Sequence, residues 1–511
     1  MLHRRPRGGA DRASAAGGVP PPPRRPRHRG VSVRRASSLG LVTGHERRTK
    51  IVATIGPASA SADKVGALIE AGMDGARLNL SHGTREDHAR SAELVREAEK
   101  NAGRPIALIA DLQGPKLRVG ELGADVALVV GESVVVAGED AAHDGDLPVS
   151  PAVLGSVLQP GNDVLIDDGH VRLRVERVER GRARCEVLVG GVVKSHKGVN
   201  LPGVTLPIPS LTRKDLDDLD AALGFGVDFV ALSFVRSASD VLALRTLIEA
   251  RGSHAYVIAK IEKAEAVAAL DDILAEAHGV MVARGDLGVE IGAADVPLLQ
   301  KRIILHALER AKPVITATQM LESMINAPEP TRAEASDIAN AILDGTSAIM
   351  LSGETAVGAY PVESVAVMDR IALAVEPHLG YRHETPQASD APTIDQAMSN
   401  AACDVAEALA AKAIIVPTFS GRTASAVARL RPQRAIIALT HKTESLRHMA
   451  IEWGLTPIGM PEAHDVEDLW SRSLEAALDS GLIASGDRVV TTAGTAVNIA
   501  GSTNVIKVDI A

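Results

Sequence analysis

The chain has 511 residues, a formal net charge of −9, and a composition that is 46% hydrophobic but only 2% aromatic. Such a length overfills one ordinary core, so about two to four domains are expected, packed from Ala, Val, Leu and Ile. Net negative charge and scarce rings exclude a chain built to bind polyanions or stack bases; Cys185 and Cys403 fit a reducing cytosol better than a disulfide framework, and no apolar run is long enough to span a membrane.

Residues 1–47 are rich in Arg and Pro, with Asp11 and Glu46 as their only acids, and read as a disordered tail. A nucleic-acid arm or transit peptide is one reading of that tail. A solvated extension, or a start codon placed upstream of one at Val42, is the simpler one. From Thr49 the pattern becomes short β-rich runs separated by amphipathic stretches. The predicted strands are Lys50 to Ile55, Gly75 to Leu80, Ile106 to Asp111, Phe229 to Val235, Ala255 to Glu262, Gly279 to Arg284, Val314 to Thr318 and Ala348 to Ser352. Eight strands, each followed by a helix and ending in polar residues, predict an α/β fold, a closed (β/α)₈ barrel whose chemistry sits at the C-terminal ends of its strands.

The third and fourth strands are too far apart for one βα unit. Between them, Val164 to Ile166, Val171 to Val175 and Cys185 to Val189 alternate with turns at Asp168-Gly169 and Arg180-Gly181, which predicts an inserted small β-barrel domain placed to act as a lid. The expected layout is barrel at 48–115, lid at 116–210, barrel again at 211–384, and a C-terminal α/β domain at 385–511. In the last of these, Glu384 to Ala391 reads as linker, followed by a helix from Thr393 to about Ala411, a strand at Ala413 to Pro417, a helix at Thr423 to Leu430 and a strand at Ala435 to Leu439.

The strongest chemical signal is Val257-Ile258-Ala259-Lys260-Ile261-Glu262. Alternate strand residues share a face, so Lys260 and Glu262 point the same way at a strand end, where charge faces an active site or a costly apolar interior. Asp286, in Ala283-Arg284-Gly285-Asp286-Leu287-Gly288, follows the next strand. Two carboxylates on neighbouring strands suit Mg²⁺, which takes one or two and leaves its other positions to substrate and water; surface ion pairs are the plain alternative. Arg77-Leu78-Asn79-Leu80-Ser81-His82-Gly83 ends the second strand. The planar fork of Arg77 suits a phosphoryl group, while Asn79 and Ser81 offer neutral oxygens to a cation. His82 reads as a turn residue. Asp111-Leu112-Gln113-Gly114-Pro115-Lys116-Leu117-Arg118 closes the third strand where the insertion begins.

Together with Ala317-Thr318-Gln319-Met320-Leu321-Glu322-Ser323-Met324, Pro330-Thr331-Arg332-Ala333-Glu334 and Met350-Leu351-Ser352-Gly353-Glu354-Thr355, these segments resemble the pyruvate kinases from about Arg48 onward, in that family's order. The resemblance implies transfer of a phosphoryl group from phosphoenolpyruvate to ADP, giving pyruvate and ATP in the cytoplasm by a homotetramer. It implies that Arg77 and Lys260 meet the phosphoryl group, that Glu262 and Asp286 hold Mg²⁺ (or Mn²⁺ in its place), and that Gly285, Asp286 and Thr318 bind the substrate carboxylate. Arg118 and Lys214 would contact nucleotide phosphates. The family's K⁺ site would fall on Asn79, Ser81, Asp111 and the carbonyl of Leu112. Leu112, Gln113 and Lys116 depart from the K⁺-dependent pattern and resemble the K⁺-independent group, in which the ammonium of Lys116 stands in for K⁺ beside Asp111. Thr418, Ser420, Gly421, Arg422 and Thr423 resemble the family's loop for a phosphorylated allosteric effector, or form an ordinary capped loop. The later loop from Thr491 to Asn498 lacks the Trp and Arg of some fructose-bisphosphate-activated members. A different barrel enzyme of pyruvate chemistry would lack the lid and the last domain, and a silent sugar-phosphate sensor or RNA-binding protein would have no use for the charged set.

Overall fold

The computed structural model describes residues 47–379, 393–495 and 503–511. The Arg/Pro-rich tail up to residue 46, the linker from Glu384 to Ala391 and the Ala496 to Asn498 end of the late loop lie outside the described residues.

All eight predicted barrel strands form, each trimmed at an end: β1 Lys50–Thr54, β2 Gly75–Asn79, β3 Ala107–Asp111, β4 Phe229–Leu232, β5 Tyr256–Ile261, β6 Gly279–Ala283, β7 Val314–Ala317 and β8 Ala348–Leu351. They close into one parallel barrel, β1 pairing with both β2 and β8. The period of two decides what each residue touches. Ala107 and Ile109 of β3, Ile258 of β5 and Phe229 and Ala231 of β4 meet inside the barrel with Met281 and Met350. The residues between them, such as Leu108, Ala259 and Val282, pack outward with the helix residues Leu68 and Val95.

Between β3 and β4 the insertion forms a second closed barrel of seven strands, running from Leu117–Val119 to Gly198–Asn200. Its longest hairpin joins Val171–Glu179 to Arg182–Val189 through Arg180 (φ 50°) and Gly181 (φ 78°). Two consecutive left-handed residues give a turn whose twist matches the strands it joins, which is why Arg-Gly stands there. Cys185 is buried in this domain's core, and burial pushes its thiol up to about 12, so it is inert at neutral pH.

The C-terminal part is a five-stranded sheet in the order β11-β10-β9-β12-β13, with β9 Ala413–Pro417, β10 Ala435–Thr440, β11 Leu455–Gly459, β12 Arg488–Gly494 and β13 Thr503–Ile510. Only β13 runs antiparallel to its neighbour. Thr393 caps the helix Ile394–Ala408 through a capping box with Gln396, and that helix ends short of the expected Ala411 because Ala410 turns left-handed, at φ 47°. This part docks on the barrel floor, where Ala450 and Ile451 join the interior cluster under Val52, Ala107 and Phe229. Gly75 leaves room for this contact, since a Cβ would meet Ile451 Cγ2 at a tight 3.1 Å. Arg447 grips Glu99 with two bonds of 2.9 and 2.8 Å, and the Tyr256 ring is stacked between His278 and His448 at 4.0 and 3.6 Å.

Candidate active site

The inner-face alternation that fills the barrel continues past the apolar layer. Arg77 follows Gly75, Asp111 follows Ile109, Ser233 follows Ala231, and Lys260 and Glu262 follow Ile258, so the sequence pattern alone converges their side chains on one rim. Arg77 donates from Nε to Asp111 Oδ2 at 2.8 Å and from Nη1 to Thr54 Oγ1 at 3.1 Å. Lys260 Nζ donates to Ser233 Oγ at 2.7 Å and stands 3.3 Å from Asp111 Oδ1 and 2.8 Å from Glu262 Oε1. Ser233 Oγ in turn donates a hydrogen bond to the carbonyl of Leu112, and Phe234 N–H donates to Glu262 Oε2 at 2.7 Å.

Two cations and two anions therefore neutralise one another in a place water hardly reaches, the condition under which buried charge is tolerable. Burial pushes Lys260 toward neutrality, but Asp111 and Glu262 more than reverse this and hold it firmly protonated. Burial likewise favours the acid form of Asp111, and Lys260 and Arg77 overcome it, leaving the carboxylate well ionised. For Glu262 burial prevails: its pKa is raised, with Lys260 opposing and the nearby charge of Asp286 adding repulsion. Two carboxylates that repel one another fit a divalent cation, which would remove the repulsion; the donor set suits Mg²⁺.

Asp286 sits in the helix Arg284–Ile291 that leaves β6, and is about a quarter exposed. Its cationic partner is Lys116, 3.6 Å away. The expected position of Lys116 beside Asp111 is not what the geometry gives: Asp111 is taken by Arg77 and Lys260, and the ammonium of Lys116, carried on the insertion's hinge, meets Asp286 instead. Two oxygens of the K⁺ set already accept hydrogen bonds, Asn79 Oδ1 from the Ser81 N–H at 3.3 Å and the carbonyl of Leu112 from the Ser233 hydroxyl at 2.7 Å.

Thr318 has φ 71°, a strained setting for a β-branched residue, and with Gln319 (φ 54°) turns the chain out of β7. Its hydroxyl donates to the carbonyl of Ala317 at 2.6 Å and accepts the Gly285 N–H at 3.1 Å. A Cβ at Gly285 would press on Thr318 Cγ2 at 3.3 Å, so glycine eases this approach. Arg284 fastens the turn by donating to the carbonyls of Ala317 and Thr318 and pairing with Asp337. Around the mouth of the cleft, Arg118 donates to the carbonyl of His196, and Lys214 to that of Leu80 at 2.7 Å. Burial first, then the charges of Arg118, Arg77, Lys116 and Lys214, depress the pKa of His82, so positive charge gathers around this residue.

Family descriptions for the barrel domain and the alpha/beta domain of pyruvate kinase match residues 46–365 and 396–509. The chain belongs to the pyruvate kinase family. It is 46% identical over 472 residues to a pyruvate kinase of Geobacillus stearothermophilus, covering 91% of this chain and 80% of that one. It is 44% identical to one of Methylorubrum extorquens, covering 90% and 97%. A pyruvate kinase structure from Cryptosporidium parvum superposes with a TM-score of 0.86 at 36% identity, covering 91% of this chain and 96% of the other. As a pyruvate kinase the chain is a phosphotransferase.

In this pyruvate kinase the expected effector loop lies in the C-terminal domain, away from the charged rim. Gly421, at φ 87°, precedes the helix Arg422–Ala428, which begins one residue earlier than expected. Thr418 Oγ1 accepts the Gly421 N–H at 3.1 Å and Thr423 meets Thr503 at 2.6 Å, so neither Ser420 nor Thr423 caps the helix. Sequence reading missed Ser233, Thr54 and Glu354. Ser233 and Thr54 are the polar ends of strands, a signal that was present but carried no charge. Glu354 is fully buried and accepts the N–H groups of Leu321 and Ser352, tying the turn after β7 to the end of β8.

Proposed function

We propose that this pyruvate kinase transfers the phosphoryl group of phosphoenolpyruvate to ADP with Mg²⁺, giving pyruvate and ATP as the last step of glycolysis in the cytoplasm. The observation that carries the reading is the charge-balanced, buried Arg77–Asp111–Lys260–Glu262 network, with the charge of Asp286 acting on Glu262 from the next strand's end. Phosphoryl transfer asks little covalent chemistry of a protein and much fixed charge around the equatorial oxygens. Arg77, aligned by Asp111 and Thr54, would bind the phosphoryl group, and Lys260, kept protonated, would meet the charge that redistributes as the group leaves. The N–H groups of Gly285 and Asp286 and the hydroxyl of Thr318 would take the substrate carboxylate, the first by exchanging its bond to Thr318. Arg118 and Lys214 would draw in the nucleotide phosphates. Glu262 and Asp286 would hold the Mg²⁺, or Mn²⁺ in its place, which when bound neutralises substrate oxygens. Transfer leaves an enolate that must take up a proton, and Thr318 lies near that path in the family.

K⁺ is the family's monovalent cofactor; the reading here is that it is not required, because Lys116 brings a tethered positive charge into the same cleft. Regulation by a phosphorylated metabolite at Thr418, Ser420, Gly421, Arg422 and Thr423, a homotetramer, and domain limits at 48–115, 116–210, 211–384 and 385–511 complete the proposal. The described residues include no helix long and apolar enough to cross a membrane. A coupled assay for pyruvate from phosphoenolpyruvate and ADP tests the core of it: activity should vanish with a chelator and return with Mg²⁺. Pure protein that forms no pyruvate under those conditions would sink the assignment of substrates.

A further inference from the structure

The insertion leaves the barrel after β3 and returns before β4, and both of its limbs meet the barrel on one short turn, residues 233–236, which follows β4. On the outgoing limb Gly114 packs so closely that a Cβ would meet Phe234 Cδ2 at 2.8 Å and Ser233 Cβ at 3.1 Å, and its φ of 68° suits glycine as well. The returning limb is held by Arg236. The carbonyls of Leu206 and Ile208, in a stretch without helix or strand, accept from its Nη1 at 2.6 Å and its Nη2 at 2.7 Å. Ser210 adds a longer bond of 3.4 Å to the carbonyl of Phe234. Among the described residues the guanidinium of Arg236 joins no ion pair, and every partner of its side chain is on this limb.

The other side of the same turn supports the charged rim. Ser233 Oγ accepts from Lys260 Nζ at 2.7 Å, and the Phe234 N–H donates to Glu262 Oε2 at 2.7 Å. Phe234 makes that bond from a left-handed backbone, φ 53°, which a bulky residue adopts only where its surroundings hold it there. The backbone of Arg236 is fixed in its turn, its N–H donating to Asp240 Oδ2 at 3.0 Å at the start of the next helix. Leu201 and Val204 belong to the insertion's own core and Leu206 packs against it, so whatever holds the Leu206 carbonyl holds the insertion as a body.

We propose that Arg236 is a positioning residue for phosphoryl transfer: it clamps the returning limb to the turn that carries Ser233 and Phe234, and so sets how the insertion stands over Lys260 and Glu262. The inference rests on the reading of the insertion as a lid that brings Arg118, on its first strand Leu117–Val119, to the nucleotide. The groups assigned to phosphoenolpyruvate, Arg77, Lys260, Gly285 and Thr318, all belong to the barrel. A loosened lid therefore costs nucleotide use and spares phosphoenolpyruvate binding. A planar fork reaches two carbonyls two residues apart with separate nitrogens, whereas a lysine ammonium offers a single nitrogen and holds one of them.

Arg236→Lys keeps the charge and most of the stem, and tests the clamp. Spin labels at Glu176→Cys, on the insertion, and Asp272→Cys, on the barrel helix Leu270–Glu276, report the spacing of the two bodies without any substrate, since Cys185 and Cys403 are buried. In the variant the distance distribution should be about twice as wide as in the wild type, and the KM for ADP raised about tenfold, while the Kd for phosphoenolpyruvate from titration calorimetry stays within about twofold. An unchanged distribution, or an unchanged KM for ADP, overturns the proposal. A wild type that forms no pyruvate would sink the assignment of substrates instead, and the spacing measurement would still decide on the clamp. Should Arg236→Lys fail to fold, Gly114→Ala takes its place, because its Cβ would press on Phe234 from the outgoing limb. A displaced or broadened distribution with a raised KM for ADP is then expected, and wild-type values for both overturn the proposal.

Discussion

At the upper rim of the barrel the Lys260 ammonium stands within 3.3 Å of both Asp111 and Glu262, and Arg77 is 2.8 Å from Asp111. Beneath the barrel, Arg431 is as deeply buried and has no such partner. Both cations are almost wholly buried, so the difference comes from the side chains that surround each one and not from depth. Charges matched within the chain are held rigid before any ligand arrives, which suits groups that must be in place when a transition state forms.

Breaking the matched end should have the largest effect. Lys260→Met removes the cation that faces the transferring group and leaves Glu262 without its neutralising partner; kcat should fall at least about a thousandfold while phosphoenolpyruvate binding, measured directly, changes little. A near-normal kcat would remove Lys260 from the chemistry. Next, Glu262→Ala or Asp286→Ala should raise the Mg²⁺ concentration for half-maximal rate by about tenfold or more, and superimposable metal titrations would place the metal elsewhere.

A smaller change sharpens the role of the hinge. The wild type should keep nearly full activity in tetramethylammonium buffer free of K⁺, whereas Lys116→Glu, which sets a new carboxylate beside Asp286, should become K⁺-dependent by about tenfold. Strong K⁺ activation of the wild type would show that the tethered ammonium does not replace the ion.

The smallest effect belongs to the lower end and appears in pH. Burial depresses His448 to about 4 from an ordinary 6.5, so the unfolded chain binds a proton that the folded one refuses, and this contribution to stability is complete above about 6.5 and is lost as pH falls toward 4. Glu452 has the opposite sign. Burial raises it to about 7 from 4.5, so its contribution is complete below about 4.5 and is lost as pH rises to 7. Between pH 7 and 5 the two offset. Melting temperature should therefore drop more steeply on acidification in Glu452→Gln than in the wild type, and less steeply in His448→Gln, by about 2 to 4 °C in each case. Parallel curves for all three proteins would mean that neither group titrates in this window.

The upper end was legible in the sequence because strand periodicity is local: once Lys260 and Glu262 are two apart on an apolar strand, their common face follows. The same rule applied to Ser233 and Thr54 would have found them, but an uncharged hydroxyl at a strand end is too ordinary to stand out. Lys116 was visible as a charge near the site, yet its partner was not, since Asp286 comes to it only when the insertion folds back over the rim. Arg431 gave no warning. Its setting depends on Lys312 and Trp453 reaching one recess from separate parts of the fold, and no spacing rule encodes that meeting.

The contact of Ala450 and Ile451 with the barrel interior has a consequence for how the protein comes into being. A chain made from its N-terminus completes β1 to β8 before either residue exists, so the underside of a finished ring of strands stays wet until the final quarter of the polypeptide arrives to stopper it. Shortening the gene after β8 would leave that opening permanently unsealed. Exchanging the C-terminal domain with a relative's would succeed only where the donor carries a stopper of matching shape, with glycine kept at position 75 to receive it.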